Sequence, residues 1–169
     1  MNLAIGVIHG MGSQDKDFAE PLIEELTERF ENLGGDPNEL VFEPVYWAPV
    51  LLKKERDLWN LVTKRHDLDY TKLRKFVVNA LGDAIAYQPL KPGAKKTQNV
   101  YRQIHEVVRG SLKQLAQRAG GDAPLVILAH SLGSVIVSNY CWDMWKQGSA
   151  SSPLERAETL AGFITFGSP

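Results

Sequence analysis

Only one cysteine, Cys141, stands in the chain, so no intrachain disulfide can form. Its neighbours are Tyr140 and Trp142, and it reads as a small buried hydrophobe rather than a reactive thiol. No apolar run approaches the ~20 residues that a membrane-spanning helix needs. The N-terminus has neither a basic region nor a small-residue cleavage site. Its short apolar run ends in His9-Gly10, so it reads as a strand and not as a signal peptide. A cytoplasmic protein with no membrane span is the expectation. Neither sign of charge dominates: 19 Lys and Arg stand against 20 Asp and Glu, a formal net charge of −1. That balance gives no reason to expect nucleic acid or an anionic membrane as partner. Lys53-Lys54, Arg74-Lys75 and Lys95-Lys96 are dispersed pairs that read as solvated faces. The four histidines and the cysteine lack metal-ligand spacing. Gly10-Met11-Gly12 lacks the third glycine of a dinucleotide fingerprint, and no Gly-Lys-Ser/Thr phosphate loop occurs. No metal and no cofactor are expected.

What remains is an ordinary globular composition. The 169 residues are 44% hydrophobic and 23% charged, enough for one domain, 1–169, with a true core. Four short apolar runs read as strands: Leu3–Ile8, Leu40–Trp47, Pro124–Ala129 and Leu160–Phe166. Pro44 inside the second places that strand at a sheet edge or on a bulge. Between them lie helical patterns. Phe18, Leu22, Ile23, Leu26 and Phe30 recur at three- and four-residue steps. Asp17 and Glu20 resemble a capping box at the start of that helix, and Gly34-Gly35 ends it. Three further helices are predicted in the long stretch from Pro49 to Gly121. They carry Leu51 to Val62, Leu73 to Ile85 and Val100 to Leu115, with a loop at Pro89–Lys96. The first two, roughly residues 49–96, can serve as a helical cap over a site or simply pack on the sheet. The last helix, Ser131–Gln147, takes apolar bulk from Val135, Ile136, Trp142 and Trp145. Strands alternating with helices imply an α/β fold with a mostly parallel sheet of about four strands and right-handed crossovers.

The most informative residues are Ala129-His130-Ser131-Leu132-Gly133. A serine there sits where a buried strand turns sharply into a helix. That bend exposes the hydroxyl over the sheet edge and aims the N–H of Leu132 at the same spot, the arrangement of a nucleophile elbow. Small residues are needed two positions either side, and Ala129 and Gly133 supply them. A plainer reading makes Ser131 a helix N-cap. It leaves unexplained the second element, His9-Gly10-Met11-Gly12 directly after the first strand. Glycines there let main chain approach a substrate carbonyl, and the N–H of Met11 is the second candidate oxyanion donor. His9, Gly10, Gly12, His130 and Gly133 are supporting positions of these two turns.

Together with the terminal strand and Phe166-Gly167-Ser168-Pro169, this order resembles the α/β-hydrolase superfamily, on its lipase- and esterase-like side. The likeness runs from Leu3 to Pro169 except for the helical insertion before the serine strand. It implies a serine hydrolase acting on a carboxylic ester or related acyl bond. Ser131 would be the nucleophile, with Met11 and Leu132 N–H groups as the oxyanion hole and a small acyl compound as substrate. The family's order is Ser, then Asp or Glu, then His, with both partners beyond the strand that follows the serine helix. No histidine follows Ser131 here, and Asp143, Glu155 and Glu158 fall at other positions. The chain is therefore expected to be the N-terminal portion of such a fold, with base and acid beyond Pro169 and little or no activity of its own. His9 reads as a loop brace, His130 as a structural neighbour pointing away from the serine, His66 as a surface residue and His105 as the edge of an apolar helix face. The alternative is a non-catalytic relative that binds a small ligand or a protein partner. An uncovered last strand also exposes a sheet edge for homo-oligomer formation.

Overall fold

Four apolar runs of six or seven residues lie side by side as one parallel sheet, which follows from their near-continuous hydrophobicity. The structure, a computed structural model, describes residues 1–11, 14–51, 87, 100–147 and 152–168. The first two helices predicted in the insertion, the Pro89–Lys96 loop, His66, Gly12 and Pro169 lie outside the described residues. The strands are β1 (Leu3–Ile8), β2 (Leu40–Val45), β3 (Leu125–His130) and β4 (Leu160–Phe166). Three helices accompany them: α1 (Glu20–Asn32), α2 (Val100–Ala119) and α3 (Leu132–Gln147).

The spatial order is β2-β1-β3-β4, every pair parallel. β1 and β3 are the central strands, buried or half-buried on both faces except for His130, the exposed last residue of β3. Pro44 sits in β2, an edge strand, where its missing N–H costs no interior ladder bond. β4 is the opposite edge. Phe163, Ile164 and Phe166 are 39%, 55% and 44% exposed there.

One face of the sheet is covered by α1. Its apolar stripe, Leu22, Ile23 and Leu26, packs with Phe18 on Ile5, Val7 and Leu128. The other face carries α2 and α3, where Ile104, Val108, Leu112, Leu115, Ile136 and Tyr140 form the larger core with Ala4, Ile8, Leu125 and Ile127. The connection from β1 to β2 thus uses one face. The return to β3 and the step to β4 use the other. The winding reverses between β1 and β3, and the ends of those two strands flank the crevice where doubly wound sheets bind ligands.

Local chemistry sets the helix ends. The Asp17–Glu20 capping box does not form: α1 begins at Glu20 after Ala19, with no side-chain cap, and Pro21 occupies the first turn. Pro21 has no N–H to satisfy, which lessens the need for a cap. The C-terminus is a Schellman motif. Gly34 takes φ +85°, its N–H donates to the Glu31 carbonyl at 2.8 Å, and Gly35 N–H donates to Phe30 at 3.0 Å. β2 ends at Val45, two residues earlier than its apolar run, because Trp47 turns into a short 3₁₀ segment, Ala48–Val50. On α3, Trp142 and Trp145 give the helix apolar bulk but not to the core. They are 54% and 75% exposed, their ring centroids 5.1 Å apart and planes tilted by 37°, with the Lys146 ammonium 4.4 Å over Trp142.

Candidate active site

Ser131 lies at the turn between β3 and α3 with φ +49°. A left-handed backbone costs a non-glycine residue roughly 1–2 kcal/mol, so the surrounding structure must enforce it. Three hydrogen bonds do so. Ser131 N–H donates to the Phe166 carbonyl of β4 at 3.0 Å. The Ser131 carbonyl accepts from Ser134 N–H at 3.0 Å and from the Ser134 hydroxyl at 2.7 Å. The strand side and the helix side of the bend are each tied down. Ala129 is fully buried, which leaves no room for bulk at that position. Leu132 opens α3, where the first N–H groups have no intrahelical acceptor and the helix dipole favours negative charge.

The loop after β1 closes on this bend through two glycines. A Cβ on Gly10 would lie 2.7 Å from Ser131 Cβ and 2.8 Å from His130 Nδ1. A Cβ on Gly133 would lie 2.7 Å from the His9 carbonyl oxygen and 3.1 Å from that of Ile8. Each turn therefore presses main chain against a glycine of the other. Met11 follows, half-buried and packed against the core. The structure brings His9, Gly10, Met11, His130, Ser131, Leu132 and Gly133 to one end of the sheet, from residues more than a hundred positions apart.

His9 is the fastener of the loop. Its ring is 3% exposed and stacks on Trp47 at 4.6 Å, with Phe18 edge-on at 4.9 Å. Nε2 accepts the N–H groups of Trp47 at 3.2 Å and Ala48 at 3.3 Å. That assigns the proton to Nδ1, which donates to the Gly10 carbonyl at 2.9 Å. The indole N–H of Trp47 donates to the His9 carbonyl at 3.0 Å. Burial pushes the His9 pKa down to about 4, the Gly10 hydrogen bond opposing and the nearby His130 adding to the fall. His9 is thus a neutral brace with both nitrogens committed. Sequence reasoning read the brace but missed its partners. The signal available was an aromatic pair, Tyr46-Trp47, immediately after a strand.

His105, read as the edge of an apolar helix face, is 9% exposed. Its Nδ1 lies 3.2 Å from Asp143 Oδ2 and its Nε2 is 2.7 Å from the Tyr87 hydroxyl. Tyr101 donates to the same Asp143 oxygen at 2.9 Å, and Asn139 reaches Tyr87 at 3.4 Å. Burial lowers the His105 pKa to about 4 despite the adjacent carboxylate. The same burial raises the phenols of Tyr87, Tyr101 and Tyr140. This network joins α2 to α3. Glu155, 1% exposed, receives Arg109 Nε at 2.9 Å, while Tyr140 donates to its carbonyl at 2.7 Å. Glu158 pairs with Arg156 at 2.7 Å, which lowers its pKa. All three acids after Ser131 are therefore engaged with residues other than the serine. Cys141 is half-buried, its thiol pKa raised by burial.

Among the described residues no group of three or more His, Cys, Asp or Glu side chains could hold a metal ion. No helix among them is long and apolar enough to cross a membrane. No family model, curated protein or solved structure matches the chain.

Proposed function

We propose that this chain carries the nucleophile half of a serine hydrolase site, resembling that of the α/β-hydrolase superfamily, which cleaves a carboxylic ester or related acyl bond. The observation that carries this reading is Ser131 at φ +49° on a strand-to-helix turn, its Cβ against the Cβ-less face of Gly10. An N-cap serine takes an extended backbone and needs no strain. The position of the turn supports the reading as well, because the winding reverses between β1 and β3.

In this reading the Ser131 Oγ attacks the acyl carbon while a general base removes its proton. The carbonyl π electrons move to oxygen, and the N–H groups of Met11 and Leu132 hold the resulting oxyanion. Such donors contribute roughly 3 kcal/mol each. The tetrahedral intermediate collapses, the alcohol leaves with the proton from the base, and water then hydrolyses the acyl-serine by the same route. His9 and His105 have both ring nitrogens committed elsewhere, so neither is the base. In the order of the family that the chain resembles, base and acid follow the strand after the serine helix, and without them a serine turns over ester slowly or not at all.

Those same commitments favour a second reading, a relative without catalysis that uses the crevice to bind a small ligand or a protein partner. Labelling with a fluorophosphonate, read by intact mass and peptide mapping, separates the two. A single adduct on Ser131, lost in Ser131→Ala and accelerated by added imidazole, supports the hydrolase. No adduct under either condition supports the binder.

A further inference from the structure

His130 and Phe166 are register partners across the parallel pair β3 and β4, so both side chains leave the sheet on the same face. Their rings stack with centroids 5.3 Å apart and planes 30° from parallel. Stacking of this kind hides one face of each ring, yet His130 is exposed and Phe166 is 44% exposed. Two glycines hold the imidazole by its edges. A Cβ on Gly10 would lie 2.8 Å from Nδ1, and a Cβ on Gly167 would lie 3.0 Å from Nε2. Gly167 takes φ +56°, a conformation open to glycine at no cost. No residue among those described forms a hydrogen bond with either His130 ring nitrogen.

The point 2.8 Å from His130 Nδ1 is also 2.7 Å from Ser131 Cβ, so ring and serine border the same spot of the loop after β1. The far edge of the ring meets Gly167 after β4. The imidazole thus lies at the end of the sheet where Ser131 sits, with Phe166 extending the surface along β4.

We propose that His130 and Phe166 form an aromatic wall of the substrate mouth and are specificity-determining residues, selecting acyl compounds with a flat aromatic group next to the scissile bond. The inference rests on Ser131 being the nucleophile. The substrate ring continues the existing stack over the open part of Phe166. Neither residue is part of the oxyanion hole or the proton relay, and a ratio of rates between two probes cancels any change in the intrinsic reactivity of Ser131.

Two measurements test the wall. The first compares labelling rates of an aryl-substituted and an alkyl-substituted fluorophosphonate, with imidazole present. In each, the Ser131 Oγ–P bond forms, fluoride leaves and the proton passes to imidazole. The aryl probe is expected to react about three- to tenfold faster, the size of one aromatic stacking contact. Phe166→Leu and His130→Gln should bring that ratio toward unity, whatever each does to the absolute rates. The second titrates Ser131→Ala protein with phenyl acetate and with ethyl acetate, following the His130 and Phe166 ring resonances by NMR. Phenyl acetate is expected to shift both and ethyl acetate neither. Labelling of Ser131 with equal aryl and alkyl rates, or a ratio unmoved by Phe166→Leu, overturns the wall and leaves the nucleophile standing. Ring shifts with phenyl acetate but no adduct on Ser131 overturn the nucleophile and leave an aromatic binding surface.

Discussion

Gly10 and Ser131 meet where only one of them can carry a side chain: the Cβ that Gly10 lacks would fall 2.7 Å from the Cβ of Ser131. Gly10→Ala must push the two turns apart, because the other neighbours of that point are the His130 ring and its carbonyl oxygen. Overpacking of this kind costs about 1–3 kcal/mol. The variant is expected to fold with a lowered urea midpoint and to label at Ser131 at least about tenfold more slowly, since displacement of a positioned donor exceeds one power of ten in rate. Unfolding and labelling measured on one preparation check both effects.

The strain at Ser131 makes a prediction with a sign opposite to most substitutions. Ser131→Gly removes the steric cost of φ +49° and is expected to stabilise the fold by about 1 kcal/mol while abolishing labelling. Ser131→Ala abolishes labelling and keeps the strain. Equilibrium urea unfolding of the two variants should place the glycine protein above the alanine protein. Equal midpoints would mean that the turn carries no strain.

His9 and His105 are neutral when folded, with pKa values of about 4 against 6.5 for the free side chain. Below pH 6.5 the unfolded chain takes up protons that the folded one refuses. Stability contributed by these groups is therefore full above pH 6.5, falls as pH drops toward 4 and is flat below. Each contributes on the order of 3 kcal/mol over that window. The groups facing them fit this picture. His9 is surrounded by Phe18, Tyr46, Trp47 and the nearby His130, none an acid. His105 faces Asp143 and three tyrosines, and desolvation still outweighs the carboxylate. Urea midpoints at pH 7.5 and pH 4.5 should differ markedly in the wild type. The difference should shrink in His105→Gln, although that variant starts from lower stability.

Asp143 is the hub of the network between α2 and α3, receiving the Tyr101 hydroxyl and facing His105. Asp143→Ala removes the shared acceptor of the Tyr101 hydroxyl and the His105 ring and is expected to cost about 2–4 kcal/mol, against about 1 kcal/mol for Tyr101→Phe. A double-mutant cycle in urea should give a coupling above about 0.5 kcal/mol. Additive losses would mean that the two groups do not interact.

The outer strand β4 has no charged residue and no proline from Leu160 to Phe166, and Ile164 is 55% exposed. Such an edge associates readily. Sedimentation of the chain is expected to show concentration-dependent association, reduced in Ile164→Lys.

Much of this was legible in the residues because it is local. Continuous apolar runs announced β1 and β3, three- and four-residue spacing announced α1 and α2, and Ala129–Gly133 announced the bend at Ser131. What was hidden is non-local. The burial of His105 depends on Asp143 and Tyr87, which helix periodicity around His105 does not report. The partners of His9 lie on the far side of β2. The exposure of Trp142 and Trp145 depends on what α3 faces, and a tally of apolar residues along one helix says nothing of that. The seating of the His130 ring between Gly10 and Gly167 depends on two loops far apart in the chain, which no local pattern of residue types encodes.

The strand order also governs the sequence of events when the protein is made. β1 takes its inner partner from β3, Ala4 pairing with Leu125, while β2 takes its place on the other side much earlier. At about 5–20 residues per second on the ribosome, β1 and β2 wait on the order of ten seconds for the strand that completes their shared core. During that interval the apolar flank of β1 is open. A nascent chain of this topology depends on sheltering by chaperones or on α1 clamping early to Ile5 and Val7, and slow parallel pairing makes folding sensitive to the pace of translation.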